Sequence, residues 1–513
     1  VTVMGPGCFS ILVSFLVLSH AVEIKLGYVS AGLYPSGSPA PWGEDMLSAT
    51  KLAINRINAA KILHPHIISL PDSLIFEAKG TVTGSLERAL RMMAGNKVVA
   101  VLGGGWTRVV EAMATVDGTL WDAGIPVLSA GASSMTLDDR ESFPGLFRTC
   151  YSDGDVQPMV TQSVVSGIRP RSAILVASTD AFGKGGAAVF NKTLIDVGLP
   201  LVGYAEFDSI DRKTGELRGD DCAKSTDNFE YVCEAVSRAF ASAAEYESHD
   251  SNTDNALLLL SATGPSTQCA LACLSNLSNS TKAVLSTEII HPTMGDSEKS
   301  HEFFDRVVTG AEGYMGYIPS PYQATEKFAG FVSDFKAKFG HHPDPWAAYA
   351  YDAVFVLASA LKRSLRETPE FFGTFGIPGI VDHLASVDIY GVTGHITYAK
   401  GGEKTTKGKA KNAKTSPSEL RVALMRLRSY GNPKIDADGT LSEKNFRVVG
   451  MTAEEGENCG NQEAKIDCSH YVEMGLQPPV DGSCSTGSDA DALLCSSNFM
   501  HLHYDGVRDL VCS

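Results

Sequence analysis

The residues whose types and spacing could do chemistry are hydroxyls, acids and tryptophans that stand just after apolar runs. Ser133 and Ser134 close Gly131-Ala-Ser-Ser, behind the run 125–129 (IPVLS). A hydroxyl there, beside backbone N–H groups leading into a turn, can hold a carboxylate. A turn serine that caps a helix has the same local sequence. Thr107 follows Gly103-Gly104-Gly105. The glycines allow close backbone approach, so Thr107 either joins an anion site at a helix N-terminus or serves as an N-cap alone. Asp180 follows 172–178 (SAILVAS), Ser261 follows ALLLL, and Glu288 follows KAVLS. Asp180 or Glu288 can receive a ligand amine, or act as a helix-capping or solvated acid. Trp42 and Trp346 each follow a proline. Trp42 is expected to wall a pocket or to cover a core edge.

These groups do not make a catalytic set. The run Gly103–Gly105 is not Gly-x-Gly-x-x-Gly, and neither a phosphate-loop pattern nor a Gly-x-Ser-x-Gly elbow is found. His291, His341 and His342 lie in loop-like sequence without a paired nucleophile. No CxxC or HExxH spacing suggests a metal. A binding protein is therefore expected, not an enzyme, with neither cofactor nor metal.

The elements that must position these residues alternate strand and helix. Residues 23–30 alternate like a strand, 43–60 carry apolar residues at helical spacing, 85–93 read as a second helix and 98–102 (VVAVL) as a buried strand. The pattern restarts after Arg148: strands at 172–178, 199–207, 256–260 and 282–286, helices at 184–197 and 266–274. Two such series imply two α/β lobes with parallel sheets and right-handed crossovers. A ligand would sit between them, at the carboxyl ends of the strands.

Composition narrows the partners. The 513 residues are 44% hydrophobic and 20% charged, with a net charge of −16. That balance is globular and disfavours nucleic acid, which needs a basic face. Residues 1–21 read as a signal peptide, with an apolar run too short to span a bilayer and small residues Ser19 and Ala21 at the cleavage positions. Removing Cys8 leaves ten of the 11 cysteines, five of them (Cys459, Cys468, Cys484, Cys495, Cys512) crowded near the end. Disulfides are expected: Cys222 and Cys233 to each other or to neighbouring cysteines, and several tail cysteines among themselves. Sequons begin at Asn191, Asn276 and Asn279. The lysine-rich stretch 400–414 reads as a solvated loop.

Three segments carry a resemblance: LSAGASSMTLDDRESFPGLFRT at 128–149, YAYDAVFVLASAL at 349–361 and GVTGHITYAKGG at 391–402. Together they resemble the periplasmic-binding type-1 (Venus flytrap) fold of family C G-protein-coupled receptors, nearest to the GABA-B receptor ectodomain. The resemblance implies three crossings between lobes, near 149–152, 312–319 and 391–397. Lobe 1 is then about 22–150 and 311–388, lobe 2 about 151–310 and 389–450, and 451–513 a Cys-rich tail or stalk. It implies that Ser133, with Ser134 as the adjacent alternative, grips a ligand carboxylate, that Thr107 stands near a second such serine, and that Trp42 walls the pocket. It also implies a glutamate for the ligand amine where this chain has Trp346, and a ligand-touching tyrosine near Ser261. GABA itself is therefore not the expected ligand. The function implied is the extracellular region of a receptor that closes on a small ligand, with a membrane domain C-terminal to this chain and room for a dimer partner. The alternatives are a secreted or periplasmic-type solute-binding protein and the ectodomain of a receptor cyclase or kinase.

Overall fold

The computed structural model describes residues 21–34, 37, 39–208, 226–247, 256–275, 281–287, 307, 314–319, 326–367 and 379–398, and four strand segments at 422–427, 446–452, 499–505 and 509–512. The first lobe is built on six parallel strands: β1 (Glu23–Ser30), β2 (Ile67–Ser69), β3 (Ile75–Glu77), β4 (Ala100–Gly103), β5 (Val127–Ser129) and β6 (Leu146–Arg148). Their order is β2-β1-β4-β5-β6, and β3 continues the β2 edge by pairing with the far end of β1. The strands are continuously apolar because helices cover both faces. These are α1 (Pro41–Ala59), α2 (Gly84–Gly95), α3 (Thr107–Ala114) and α4 (Thr119–Asp122).

The second lobe opens with α5 (Asp153–Ile168), β7 (Ser172–Ser178), α6 (Ala181–Val197), β8 (Leu201–Phe207), α7 (Thr226–Glu247), β9 (Ala256–Ser261), α8 (Gly264–Leu274), β10 (Thr281–Ser286) and β11 (Tyr314–Pro319). Strands β7 to β11 pair in parallel in the order β8-β7-β9-β10-β11. The chain then returns to the first lobe with α9 (Glu326–Phe339), α10 (Pro345–Glu367), α11 (Ile380–Ala385) and the hairpin β12 (Asp388–Tyr390) and β13 (His395–Thr397). The strands β14 (Val422–Leu427), β15 (Phe446–Thr452), β16 (Phe499–Asp505) and β17 (Asp509–Cys512) extend the second sheet beyond β11 in antiparallel fashion.

The return to the first lobe is held by α1 against α10. Met46, Ala49, Ala53 and Ile57 on α1 are buried in one core with Ala347, Val354, Leu357 and Leu361 on α10. Phe331 of α9 meets Tyr351 of α10 with ring centroids 4.9 Å apart. Such aromatic pairs add about 0.5–1.5 kcal/mol beyond the area they bury.

Two lobe limits differ from the sequence expectation. β11 pairs with β10 and so belongs to the second lobe, although 311–388 was expected in the first. Residues 389–398 belong with the first lobe: Val392, Ile396 and Tyr398 lie in its core, and Tyr398 packs on Phe147. Asp352 fixes that hairpin, accepting from Val392 N at 2.9 Å, Thr393 N at 2.8 Å and Thr393 Oγ1 at 2.6 Å. The first crossing does fall between β6 and α5. The second comes after β11 and the third after Tyr398, because long-range core contacts, invisible in local periodicity, decide to which lobe each piece adheres.

Cys233 of α7 is bonded to Cys273 of α8. Cys269 is disulfide-bonded as well, so the two cysteines four apart on α8 serve separate bridges. The Cys233–Cys273 bridge ties α7 to α8. Cys150 is free and buried at the first crossing. The signal segment 1–20, Cys222, the stretch 400–414, the sequons at Asn276 and Asn279, and the tail apart from its strands lie outside the described residues. Asn191 is exposed on α6, but Thr193 of its sequon is buried. Among the described residues, no helix is long and apolar enough to cross a membrane.

Two outcomes follow from this packing. A Cβ at Gly43 would stand 2.1 Å from the Ala31 carbonyl oxygen, so α1 can approach β1 only with glycine there. Gly43→Ala is expected to cost about 1–3 kcal/mol in a denaturant melt; an unchanged midpoint would show that α1 shifts freely. Burial pushes the Asp352 carboxyl up from 3.8 to about 6, against the pull of its three donors. The folded chain then holds a proton that the unfolded chain has lost, so this group's contribution to stability falls as pH rises from about 4 to 6. The stability difference between wild type and Asp352→Asn should shrink across that window by on the order of 2–3 kcal/mol; parallel melting profiles would contradict it.

Candidate functional site

In each sheet the strand order reverses direction at one point, and a crevice opens there at the carboxyl edge. In the first lobe that point lies between β1 and β4, and in the second between β7 and β9. The loops bordering the first crevice hold Trp42, Gly103–Thr107 and, after the neighbouring β5, Gly131–Ser134. Those bordering the second hold Ser178–Asp180 and Ser261. Most candidate residues from the sequence are thus gathered on two facing edges. Glu288 lies outside the described residues.

The first-lobe loops touch. A Cβ at Gly105 would lie 2.5 Å from the Trp42 ring, and one at Gly131 3.1 Å from Gly105 Cα. Ser129 donates to the Gly104 carbonyl at 3.0 Å. Trp42 packs edge-to-face on Trp106 at 5.3 Å, and Trp106 on Tyr34 at 5.8 Å. Trp42 is half-buried against the lobe core, so it covers a core edge while standing at the crevice. Thr107 is not an N-cap: Trp106 occupies that position, and Thr107 is the first helical residue, buried, with no capping side-chain bond at the helix start. The turn after the glycine run is one residue shorter than a cap at Thr107 would require. What α3 offers an anion there is its backbone N–H groups.

Ser133 and Ser134 are positioned by Arg148, whose guanidinium is fully buried. It donates to the Ala132 carbonyl at 3.1 Å and the Ser134 carbonyl at 2.9 Å, and pairs with Asp138. Asp138 also accepts from Ser152 at 2.6 Å, and Ser152 caps α5. The Ser133 hydroxyl is already engaged, donating to Asp153 at 2.9 Å, and Tyr317 donates to the other oxygen of Asp153 at 3.0 Å. Burial pushes the Asp153 carboxyl up to about 6, while the Ser133 and Tyr317 hydrogen bonds pull it down. Ser133 therefore does not stand at an open cleft, as the sequence reading had it; it is 5% exposed and links the first lobe to α5 and β11 of the second.

Ser134 caps a 3-10 turn, Met135–Asp138, and its hydroxyl reaches the Ala181 carbonyl of α6 at 3.3 Å. A Cβ at Gly185 would fall 2.4 Å from Ser134 Oγ, so the glycine-rich start of α6 lets the lobes touch. Asp180 caps α6, its Oδ1 accepting from Gly183 N at 2.9 Å. Ser261 donates to the Gly183 carbonyl at 2.8 Å and thereby fixes the same turn from β9. Trp346 packs against the cores of both lobes and stacks beside Tyr151 at 5.9 Å. It is an aromatic bridge across the hinge where the resemblance implied a glutamate.

Sequence reasoning missed Trp106, Asp153, Tyr317 and Glu111. Glu111 follows Thr107 by one helical turn, which was a readable signal. Asp153 and Tyr317 carried none, because only the lobe contact brings them to Ser133. Among the described residues, no group of three or more His, Cys, Asp or Glu side chains could hold a metal.

Comparison with known proteins agrees with this architecture. The family model described as receptor family ligand binding region matches residues 45–407. The fold is similar to LivJ of Streptococcus pneumoniae, the substrate binding protein of a branched-chain amino acid transporter solved with isoleucine, at 17% identity and a TM-score of 0.54, covering 79% of this chain and 96% of that one. It is similar to the leucine binding protein LivK of Thermotoga maritima at 13% identity and a TM-score of 0.53, covering 79% and 95%. A solute binding protein of R. palustris in complex with benzoate gives 14% identity and a TM-score of 0.54, covering 82% and 95%. No curated protein matches the sequence. The two-lobed parallel α/β architecture is thus that of the periplasmic-binding type-1 proteins, and the chain belongs to the receptor family ligand binding region family.

Proposed function

We propose that this protein is the extracellular ligand-binding region of a cell-surface receptor, which closes on a small carboxylate-bearing, amino-acid-like molecule. The observation that carries this reading is the meeting of the two crevices: Ser134 of the first lobe touches the first turn of α6 in the second. A molecule held between those edges would contact both lobes, and closure would be the signal. The anion donors are the N–H groups at the start of α3 beside Thr107, joined by Ser133 and Ser134 when a ligand displaces their present bonds to Asp153 and the Ala181 carbonyl; the walls are Trp42 and Trp346. A signal peptide, glycosylation, a membrane domain after this chain and a dimer partner complete the proposal. The resemblance of the sequence segments to GABA-B ectodomains enters only as a receptor type, since Trp346 stands where that resemblance implies an amine-binding acid, which disfavours GABA.

A solute-binding carrier is the second reading, and the transport binding proteins among the structural neighbours favour it. The coding sequence beyond Ser513 separates the two: apolar spans, or one span and a cyclase or kinase domain, support a receptor.

A thermal-shift screen of amino acids, GABA analogues and small carboxylates tests the ligand class. A ligand at 100 times its dissociation constant should stabilise the protein by about 2.7 kcal/mol; a screen in which no carboxylate shifts the melt contradicts the proposal. Ser133→Ala should weaken the identified carboxylate about 10- to 150-fold. It should also lower stability by about 1–3 kcal/mol, because Asp153 loses a buried donor. Full affinity in the variant would leave Ser133 a purely structural link.

A further inference from the structure

The hydroxyl offered to a ligand's carboxylate already holds a carboxylate of the protein. Asp153, the first residue of α5, is 1% exposed. Ser133 Oγ donates to its Oδ2 at 2.9 Å, and Tyr317 donates to its Oδ1 at 3.0 Å. Asp153 N donates back to the Ser133 carbonyl at 2.8 Å, which keeps the two residues side by side. A serine hydroxyl has a single proton to donate. It can serve the anion of Asp153 or that of a ligand, but not both. The other charged and titratable groups around Asp153 are Arg148 and Asp138 of the first lobe, the Cys150 thiol and, on its own helix, Asp155. Arg148 is engaged with two carbonyls and Asp138, and Cys150 with the Ala132 carbonyl. Among the described residues, Oδ2 therefore has no second donor at hand.

We infer that Asp153 is an internal competitor for the ligand's carboxylate at Ser133, and that binding such a ligand moves one proton from solvent onto Asp153. The inference rests on the ligand-binding reading and deepens it, adding the regulation of that same site. When Ser133 turns its hydroxyl to the ligand, Asp153 Oδ2 loses its donor and faces a second carboxylate. Two carboxylates around one hydroxyl share a proton rather than both staying ionised. Asp153 takes that proton on Oδ2, Tyr317 keeps its bond to Oδ1, and no bond of the ligand is made or broken. In the empty protein, burial already holds the Asp153 carboxyl up at about 6. Above that pH the free protein has lost the proton that the complex keeps. Affinity for a carboxylate should therefore fall as pH rises above about 6, by up to about tenfold per pH unit. A ligand without a carboxylate leaves Ser133 with Asp153 and escapes this dependence.

Isothermal titration of the whole chain with leucine and with benzoate, from about pH 6 to about pH 8, tests this; both carboxyls stay ionised over that range. Benzamide, which carries no carboxylate, is the control. Wild type should lose on the order of 10- to 100-fold in affinity for leucine and benzoate across the range, and keep its affinity for benzamide. Near about pH 8, heats in buffers of different ionisation enthalpy should show about one proton taken up per carboxylate bound. Asp153→Asn keeps an oxygen for Tyr317 without the charge. It should bind both carboxylates independently of pH, and at about pH 8 at least about 10-fold more tightly than wild type. Tyr317→Phe should move the weakening to higher pH, since Asp153 with one donor fewer keeps its proton longer; a merely structural bond would weaken binding instead. Carboxylate affinity that is flat in pH without proton uptake, or a pH dependence shared by benzamide, overturns the inference and leaves the ligand-binding reading standing. Weaker carboxylate binding by Asp153→Asn than by wild type at the alkaline end overturns it as well. If Asp153→Asn does not fold, Tyr317→Phe and the proton count decide. If neither leucine nor benzoate binds wild type, this inference falls, and the wider carboxylate screen decides the ligand-binding reading by itself.

Discussion

The buried guanidinium of Arg148 sets the shape of the cleft. A charge taken fully out of water needs partners, and two carbonyls and Asp138 meet donors on its two terminal nitrogens. Those carbonyls belong to Ala132 and Ser134, so satisfying the arginine fixes the loop that presents both serines. Asp138, held by the same cation, reaches Ser152 and so fixes the start of α5. One ion thus ties the last strand of the first lobe to the first helix of the second. Truncating the arginine would leave the Ala132 and Ser134 carbonyls without this donor and free the loop, while Asp138, 42% exposed, keeps access to water.

Around that tie, glycines decide how closely the rest can pack. Gly105 admits the Trp42 ring, Gly131 admits the Gly105 backbone, and Gly185 admits Ser134. A cleft built by such contacts depends on these small residues, because a Cβ at any of them would push the packed edges apart. Among the described residues, the hydrogen bonds that cross include those from Ser133 to Asp153, from Asp153 N to the Ser133 carbonyl, from Ser152 to Asp138 and from Ser134 to the Ala181 carbonyl.

Much of this was legible in the sequence. The β-α alternation gave β1, β4, β5 and β7 to β10 within a few residues, since buried parallel strands read as short apolar runs between helical periods, while the three-residue strands β2, β3 and β6, and β11, were not read. The places where chemistry gathers were legible too, because strand ends at a carboxyl edge follow from the alternation alone. Individual roles were less so. Thr107 looked like a cap, but the cap position fell on Trp106, one residue earlier. Ser133 looked free, but its partner Asp153 lies across the lobe boundary and no local pattern reveals it. The hairpin 388–397 follows the first lobe because Asp352, far back in the chain, holds its turn. The misses at Ser133 and the hairpin are long-range contacts overriding a local signal; the miss at Thr107 is a one-residue shift of the helix start.

The central claim is that both crevices engage one small molecule at once. Amide hydrogen exchange with and without a carboxylate that stabilises the protein tests it most directly. The account predicts that protection rises together in 131–136 of the first lobe and 178–186 of the second, because closure buries both. Protection confined to one lobe, or appearing at neither segment, would contradict it.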